Sequence, residues 1–453
     1  MISTAHDKAR RPQGSVLVIV LWIVFGLVSL TLYFAHSMTF SLRASDNRVA
    51  SMEADEAIEG ARRYITCVLS NVDAVGVLPD PQTYRAEAVP VGNAKFWIIG
   101  RGDTTGMATE PSFGLVDEAS KINLNTADSN TMINLPRMTP QLVANIMAWR
   151  STNTTTLSGG AESDSYTQLQ PPYLCKNAPF ETMDELRLIY QMDMDTLYGE
   201  DANLNGVLDP NENDGDAQPP SDNMDGILNP GLMDYCTVYS REPTTNTNGA
   251  ARFNVTTFTG ANTTALTALL TTNGIDAGRA QQIANNFTNQ TTSPTSVLQF
   301  YLESKMTTAE FAKIEPDLRG SNVVGLININ TASQTVLTCI PVWVNGQAQQ
   351  VVAYRTANTN TLNTQAPTVT WITQVLSQQD AIAAGPYLTG QGYQYSADVA
   401  AIGHDGRGYR RTLFIFDMSQ HVPVIIHRQD LSQLGWALGK SVRNKWLLAK
   451  QTP

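Results

Sequence analysis

Residues 15–45 read SVLVIVLWIVFGLVSLTLYFAHSMTFSLRAS, and the chain runs on without a break through SDNRVASMEADEAIEGARRYITCVLSN to residue 71. Before this stretch stands a short basic leader, MISTAHDKARRPQG, with Lys8, Arg10 and Arg11 close to Gly14. No Asp, Glu, Lys or Arg occurs between Arg11 and Arg43. That apolar length exceeds the ~20 residues a helix needs to cross a bilayer. Beyond Leu42, Ala50, Ala54, Ala57, Ala61, Ile65 and Val68 recur at three- and four-residue steps, and charges fill much of the opposite side. This period predicts an amphipathic helix. A single helix over residues 15–70 would be roughly 84 Å long at ~1.5 Å per residue, apolar all round in its first half and striped in its second.

A secretory signal would have a shorter apolar core followed by small residues at a cleavage site. Here the apolar run begins directly after a glycine and passes into a soluble helix. This arrangement resembles the class III signal of type IV pilins and type II secretion pseudopilins. The resemblance implies cleavage by a prepilin peptidase between Gly14 and Ser15, on the cytoplasmic side, and methylation of the new amine. The basic leader agrees, because positive residues stay on the cytoplasmic side of a span. Most pilins carry Glu as the fifth mature residue; here that residue is Ile19. Its absence is typical of component K, a minor pseudopilin of the type II secretion system. A plain single-span signal anchor is the alternative reading of this segment.

The remainder is long enough for two or three domains. The 453 residues are 42% hydrophobic and only 16% charged, which suffices for real cores. The net charge of −11 argues against a nucleic-acid surface, which needs clustered Lys and Arg, and favours cation binding. Residues 95–100 and 113–123 read as strands, as do the segments QYSADVAAIGHDGRGYRRTLFIFDMS and HVPVIIHRQD near the end, with a turn at 403–408. The expected fold is therefore α+β: a long N-terminal helix on a small antiparallel sheet, interrupted by a large inserted helical domain. The parts are a leader at 1–14, a membrane half of the helix at 15–42, a pilin domain at 43–123 and 391–453, and the insertion at 124–390.

The insertion repeats itself. INLNTADSNTMINLPRMTPQLVANIMAWR at 122–150 matches ININTASQTVLTCIPVWVNGQAQQVVAYR at 327–355, and LTALLTTNGIDAGRAQQIANNF at 266–287 is a looser third copy. The shared N-T-A reads as a helix start. The units resemble helix-hairpin-helix folds. Glycine lets the hairpin backbone approach a phosphate closely, yet the corresponding positions hold Arg137-Met138-Thr139 and Val342-Trp343-Val344. The copies are read as protein-interaction or structural units. Component K pseudopilins carry such an insertion between pilin strands, and the resemblance covers most of the chain.

The sharpest chemical motif is DANLNGVLDPNE at 201–212. It offers Asp201, Asn203, Asn205, the Val207 carbonyl, Asp209 and Glu212 at positions 1, 3, 5, 7, 9 and 12 of a calcium loop, with Gly206 at the turn. A solvated Asp/Asn/Gly turn is the alternative. A degenerate copy, SDNMDGILNPGL at 221–232, offers Asn223, Asp225, Ile227 and Asn229 but has Leu232 at position 12; Asp222, Asp214, Asp216 and Asp234 are candidate stand-ins for the missing acid. The expected ion is calcium, stapling a loop that lacks its own core, and the family resemblance implies calcium in this insertion. Cys175 and Cys236 bracket these loops over 176–236, and a disulfide between them would close the segment. Cys67 and Cys339 read as free thiols.

The five histidines show no metalloprotease spacing, and G-x-S-x-G and Walker motifs are absent. The chain therefore reads as structural, not enzymatic. The resemblance implies a tip subunit of the pseudopilus with components I and J as partners, an inner-membrane span, a periplasmic soluble part and no nucleic acid. A minor pilin of a type IV pilus and a membrane-anchored DNA-uptake protein are the competing readings.

Overall fold

The computed structural model describes residues 15–72, 74–101, 110–152, 159–344, 346–359, 362, 368–439 and 442. The leader, including Gly14, lies outside the described residues. One continuous helix, α1, spans Ser15–Ser70. It is the one helix among the described residues long and apolar enough to cross a membrane. Its apolar half, from Val16 to Leu42, is exposed throughout. Its second half buries Ala50, Ala54, Ala57, Ile58, Ala61, Ile65 and Leu69. The stripe follows the expected period, with Leu69 taking the last place in the stripe where Val68 was expected.

The stripe lies on an antiparallel sheet. Its strands β1 (Val89–Val91), β2 (Ala94–Ile99), β10 (Gln394–Ile402), β11 (Arg410–Asp417) and β12 (Val424–Asp430) stand in that order, and β3 (Val116–Asp117) also pairs with β10. Phe96, Ile98, Tyr395, Ala397, Val399, Phe414 and Phe416 meet the helix stripe in one core. The small residues on α1 let the sheet come close. Gly403 and Gly408 in the turn before β11 pack on the Ala50 backbone, where an added Cβ would fall 2.2 Å from backbone atoms.

The same turn is tied to the helix by charge. His404 places Nδ1 2.7 Å from Glu53 and Nε2 3.0 Å from Asp46, and its backbone N–H donates to Glu53 at 2.9 Å. Arg407 pairs with Asp46, Arg410 with Asp55 and Arg428 with Glu59. Only the imidazolium can donate from both ring nitrogens at once. The two carboxylates accordingly raise the His404 pKa, while the His404 hydrogen bonds lower that of Glu53. The sign follows from linkage. The His404 contribution is complete below its ordinary pKa and is lost as pH rises through the raised value. The Glu53 contribution is present above the ordinary carboxylate range and is lost as pH falls through the lowered value. Amide exchange at residues 46–53, corrected for its intrinsic pH dependence, is expected to be slowest between these limits. A flat profile, or one unchanged in His404→Gln, would contradict this.

The expected strand at 113–123 is broken. Only Val116–Asp117 joins the sheet; Glu118–Ser120 turns as a short 3-10 helix, and β4 (Ile122–Asn123) leaves for the insertion. The cause is Asp117, which accepts Ala119 N–H at 2.9 Å and so caps the turn. Its other oxygen accepts Asn328 and Thr331, each at 2.7 Å, and burial pushes its pKa up to about 6.

The insertion is not purely helical. It is three units, each closed by a two-residue parallel strand pair: β4 with β5 (Cys236–Thr237), β6 (Phe253–Asn254) with β7 (Leu318–Arg319), and β8 (Ile327–Asn328) with β9 (Leu388–Thr389). Each opens on an asparagine whose Oδ1 accepts the amide two residues on: Asn123 from Asn125, Asn254 from Thr256, Asn328 from Asn330. The looser copy thus opens at Phe253, ahead of the helices Thr263–Thr272 and Ala277–Asn285. In the outer two units the arginine that follows the aromatic residue returns to the N-T-A segment. Arg150 donates to the Leu124 and Ala127 carbonyls, and Arg355 to those of Ile329 and Ala332 at 2.9 and 2.8 Å. The three units share one hydrophobic core.

Candidate metal centre

The first unit carries the acidic loops. The helix Met194–Tyr198, capped by Asp193 accepting Thr196 N–H at 2.6 Å, ends at Gly199. Gly199 has φ +61°, and a Cβ there would lie 2.3 Å from the Asn229 carbonyl. The chain then turns tightly about Asp201. Asp201 Oδ1 accepts Asn205 N–H and Oδ2 accepts Gly206 N–H, both at 2.9 Å. Asn203 Oδ1 accepts Asn205 N–H at 3.0 Å, and Asn205 Oδ1 accepts Val207 N–H at 2.8 Å. Gly206 has φ +69°, the left-handed conformation that the sixth position of a calcium loop requires. Glu212 folds back, accepting Asp209 N–H at 3.0 Å and Ala202 N–H at 3.2 Å. The amides of Asn203 and Asn205 converge on Asp209 Oδ2 at 2.7 and 3.0 Å.

All five side chains named for the first loop therefore converge in one turn, with Asp201, Asn205 and Glu212 buried. Burial, with Asp201 and Asp209 beside it, pushes Glu212 up to about 8. Burial also raises Asp201, against the lowering influence of Arg101. A divalent cation would offset both penalties. Oxygen-only ligation with two neutral amides fits a hard ion such as calcium. Among the described residues, no group of three or more His, Cys, Asp or Glu side chains stands ready to hold a metal, so the fit depends on the amide and carbonyl oxygens beside the acids.

The second loop repeats the turn at the surface. Asp225 Oδ1 accepts Ile227 N–H at 2.7 Å, Asn223 Oδ1 accepts Asp225 N–H at 3.0 Å, and Gly226 has φ +76°. Asn229 instead binds Glu200, whose Oε2 accepts its N–H at 2.8 Å. Leu232 is buried in the core. Asp234, a candidate stand-in for the missing acid, is held by Arg101 at 2.8 Å, and Asp222 accepts the amides of Asp214 and Gly215, both at 2.8 Å.

All four cysteines are free thiols, and the expected Cys175–Cys236 bond is not formed. Cys175 lies near Ser163 and Tyr166, whereas the thiol beside the buried Cys236 is that of Cys339, from the third unit. The 3.6- and 2-residue patterns that mark helices and strands carry no information on which unit faces another. Reasoning from sequence also missed Arg101 and Arg411, two cations that reach this loop from the sheet. Nothing near either residue in the sequence announces that role.

Arg137, at φ +60°, turns its guanidinium onto the Asp195 carbonyl at 2.6 Å.

No curated protein matches the sequence. Among solved structures, the GspK-GspI-GspJ complex of the enterotoxigenic Escherichia coli Type 2 Secretion System contains a similar chain at 10% identity. The similarity covers 86% of this chain and 98% of that one, with a TM-score of 0.39. Residues 129–198, which form the helices of the first unit up to the edge of the acidic loop, match the family described as Type II secretion system (T2SS), protein K. The unit that matches this family is thus inserted into a sheet that packs on a long, half-apolar helix.

Proposed function

We propose that this chain caps the pseudopilus, in a complex with the I and J components, and that its insertion is stabilised by calcium in the 201–212 loop. The observation that carries the reading is the single helix that is fully exposed and apolar from Val16 to Leu42 and packed on the sheet from Ala50 onward. Such a helix can hold a precursor in the inner membrane and later pack among the helices of a filament. The insertion is too large to be enclosed by neighbouring subunits, which favours the end of the filament. Ile19 supports the same place, since a terminal subunit has no neighbour above it whose amine needs an acid. The role is structural, with the soluble part in the periplasm and Gly14–Ser15 as the cleavage site.

Calcium would supply a compact double charge that draws carboxylate and carbonyl oxygens together. Asp201, Asp209 and Glu212 would bind it through carboxylates, Asn203 and Asn205 through amide oxygens and Val207 through its carbonyl.

The test is co-expression of the full chain with its I and J partners and the prepilin peptidase, followed by affinity purification through a tag on J. A ternary complex is expected, with the chain's intact mass beginning at Ser15. Recovery of J and I without this chain, or a mature start beyond Ala35, would overturn the reading.

A further inference from the structure

Two arginines of the pilin domain reach into the acidic loop. Arg411, on β11, is fully buried. It grips Asp398 of β10 with Nε at 2.9 Å and Nη2 at 2.5 Å. Its remaining donors go to the loop backbone: Nη1 to the Asn203 carbonyl at 2.5 Å and Nη2 to the Leu204 carbonyl at 2.7 Å. Arg101, just beyond β2, donates from Nη2 to the same Leu204 carbonyl at 2.8 Å and from Nε to Asp234 at 2.8 Å. Asn205 Nδ2 adds a bond to the Ala437 carbonyl at 3.0 Å. The loop is thus fastened to the sheet through backbone carbonyls of its third and fourth positions, which flank the side-chain ligands.

We propose that cation binding in the 201–212 loop locks the inserted domain onto the pilin sheet, with Arg411 and Arg101 as the positioning residues that transmit it. This rests on the calcium reading above. The reasoning is local. A guanidinium carries five donors, and leaving buried ones unmet is costly. The Asn203 and Leu204 carbonyls meet them only while the chain holds this turn, with Leu204 at φ +55°. Three buried or crowded acidic side chains share the turn, and a divalent cation favours it by drawing their carboxylates together. Losing the cation loosens the turn, withdraws the carbonyls and leaves the insertion held to the sheet by its other contacts alone, such as Asp117 with Asn328 and Arg241 with Gln394.

The full chain in detergent offers a direct readout, because Cys67 on α1 is exposed and the other three thiols are buried. A second label at Gln282→Cys, an exposed position on the helix Ala277–Asn285, marks the insertion. Spin-label distance distributions are measured with calcium and with a calcium chelator, and binding is followed separately by isothermal titration. The expected result is a distribution that narrows with calcium. In Arg101→Gln that narrowing is lost while calcium still binds. The paired change Asp398→Asn with Arg411→Gln, which leaves no lone buried charge, is expected to behave the same way. Calcium binding without narrowing in the unsubstituted chain overturns the coupling alone, as does undiminished narrowing in both variants. Failure to bind calcium at all overturns the coupling together with the site.

Discussion

Calcium at millimolar concentration is expected to raise the melting temperature of the chain well above its value in EDTA, and Glu212→Gln to remove most of that difference. A ligand present at a hundred times its dissociation constant stabilises the folded state by about 2.7 kcal/mol. Glu212 is the one carboxylate at position 12, where a calcium loop takes its bidentate ligand. Gln keeps a single acceptor oxygen, so it can take only one of the Asp209 and Ala202 amides that Glu212 accepts on separate oxygens at 3.0 and 3.2 Å. What disappears is a charge held in a buried place beside Asp201 and Asp209. In EDTA the variant is expected to melt slightly lower for the lost turn bond, worth about 0.5–1.5 kcal/mol, so the calcium-dependent difference is the readout. Asp225→Asn serves as the comparison. Its loop is exposed and has Leu232 in place of the acid, so its effect on the calcium-dependent shift is expected to be small. Superimposable melting curves of the unsubstituted chain in calcium and in EDTA would reduce 201–212 to a solvated turn.

Gly408→Ala is expected to loosen the soluble half of α1 from the sheet. Two costs add at this position. Gly408 has φ +68°, a conformation that costs a side-chain-bearing residue roughly 1–2 kcal/mol. A Cβ there would also stand 2.2 Å from the Ala50 carbonyl carbon and 2.3 Å from the Ser51 nitrogen, and overpacking costs roughly 1–3 kcal/mol. The neighbours are backbone atoms of a helix, which cannot rotate aside. The helix can retreat only by pulling apart the pairs of Asp46, Glu53, Asp55 and Glu59 with His404, Arg407, Arg410 and Arg428. A loss of roughly 2–5 kcal/mol is expected, with faster protease cleavage after Arg48. Gly274→Ala is the control. Its φ is +74° with open space around the added atom, so it carries the conformational cost alone. Equal losses in the two variants would show that close approach to Ala50 contributes nothing.

Much of this molecule is written in short-range pattern. The uncharged run to Leu42 and the small-residue stripe from Ala50 gave α1 nearly to the residue, because helix periodicity is a property of neighbours three and four apart. The repeated I-N-x-N-T-A marked the first and third units for the same reason: the asparagine turn and the helix start are made within a few residues. The tight turn at 201–212 also follows from twelve consecutive positions, with Gly206 at φ +69°.

What the pattern could not supply was the identity of the surface opposite each residue. On β10, Tyr395, Ala397 and Val399 alternate with Gln394, Ser396 and Asp398, and such alternation ordinarily marks a sheet with one wet face. Both sets are buried. The insertion covers the polar set: Gln394 accepts the Arg241 amide at 2.7 Å, and Asp398 binds Arg411 beneath the acidic loop. The parallel pairing of Ile122 with Cys236 and the meeting of Asp117 with Asn328 are decided the same way. Alternation and periodicity say that an element has two sides. Only the packed chain, bringing together residues some two hundred positions apart, decides that the polar side faces another part of the protein rather than water.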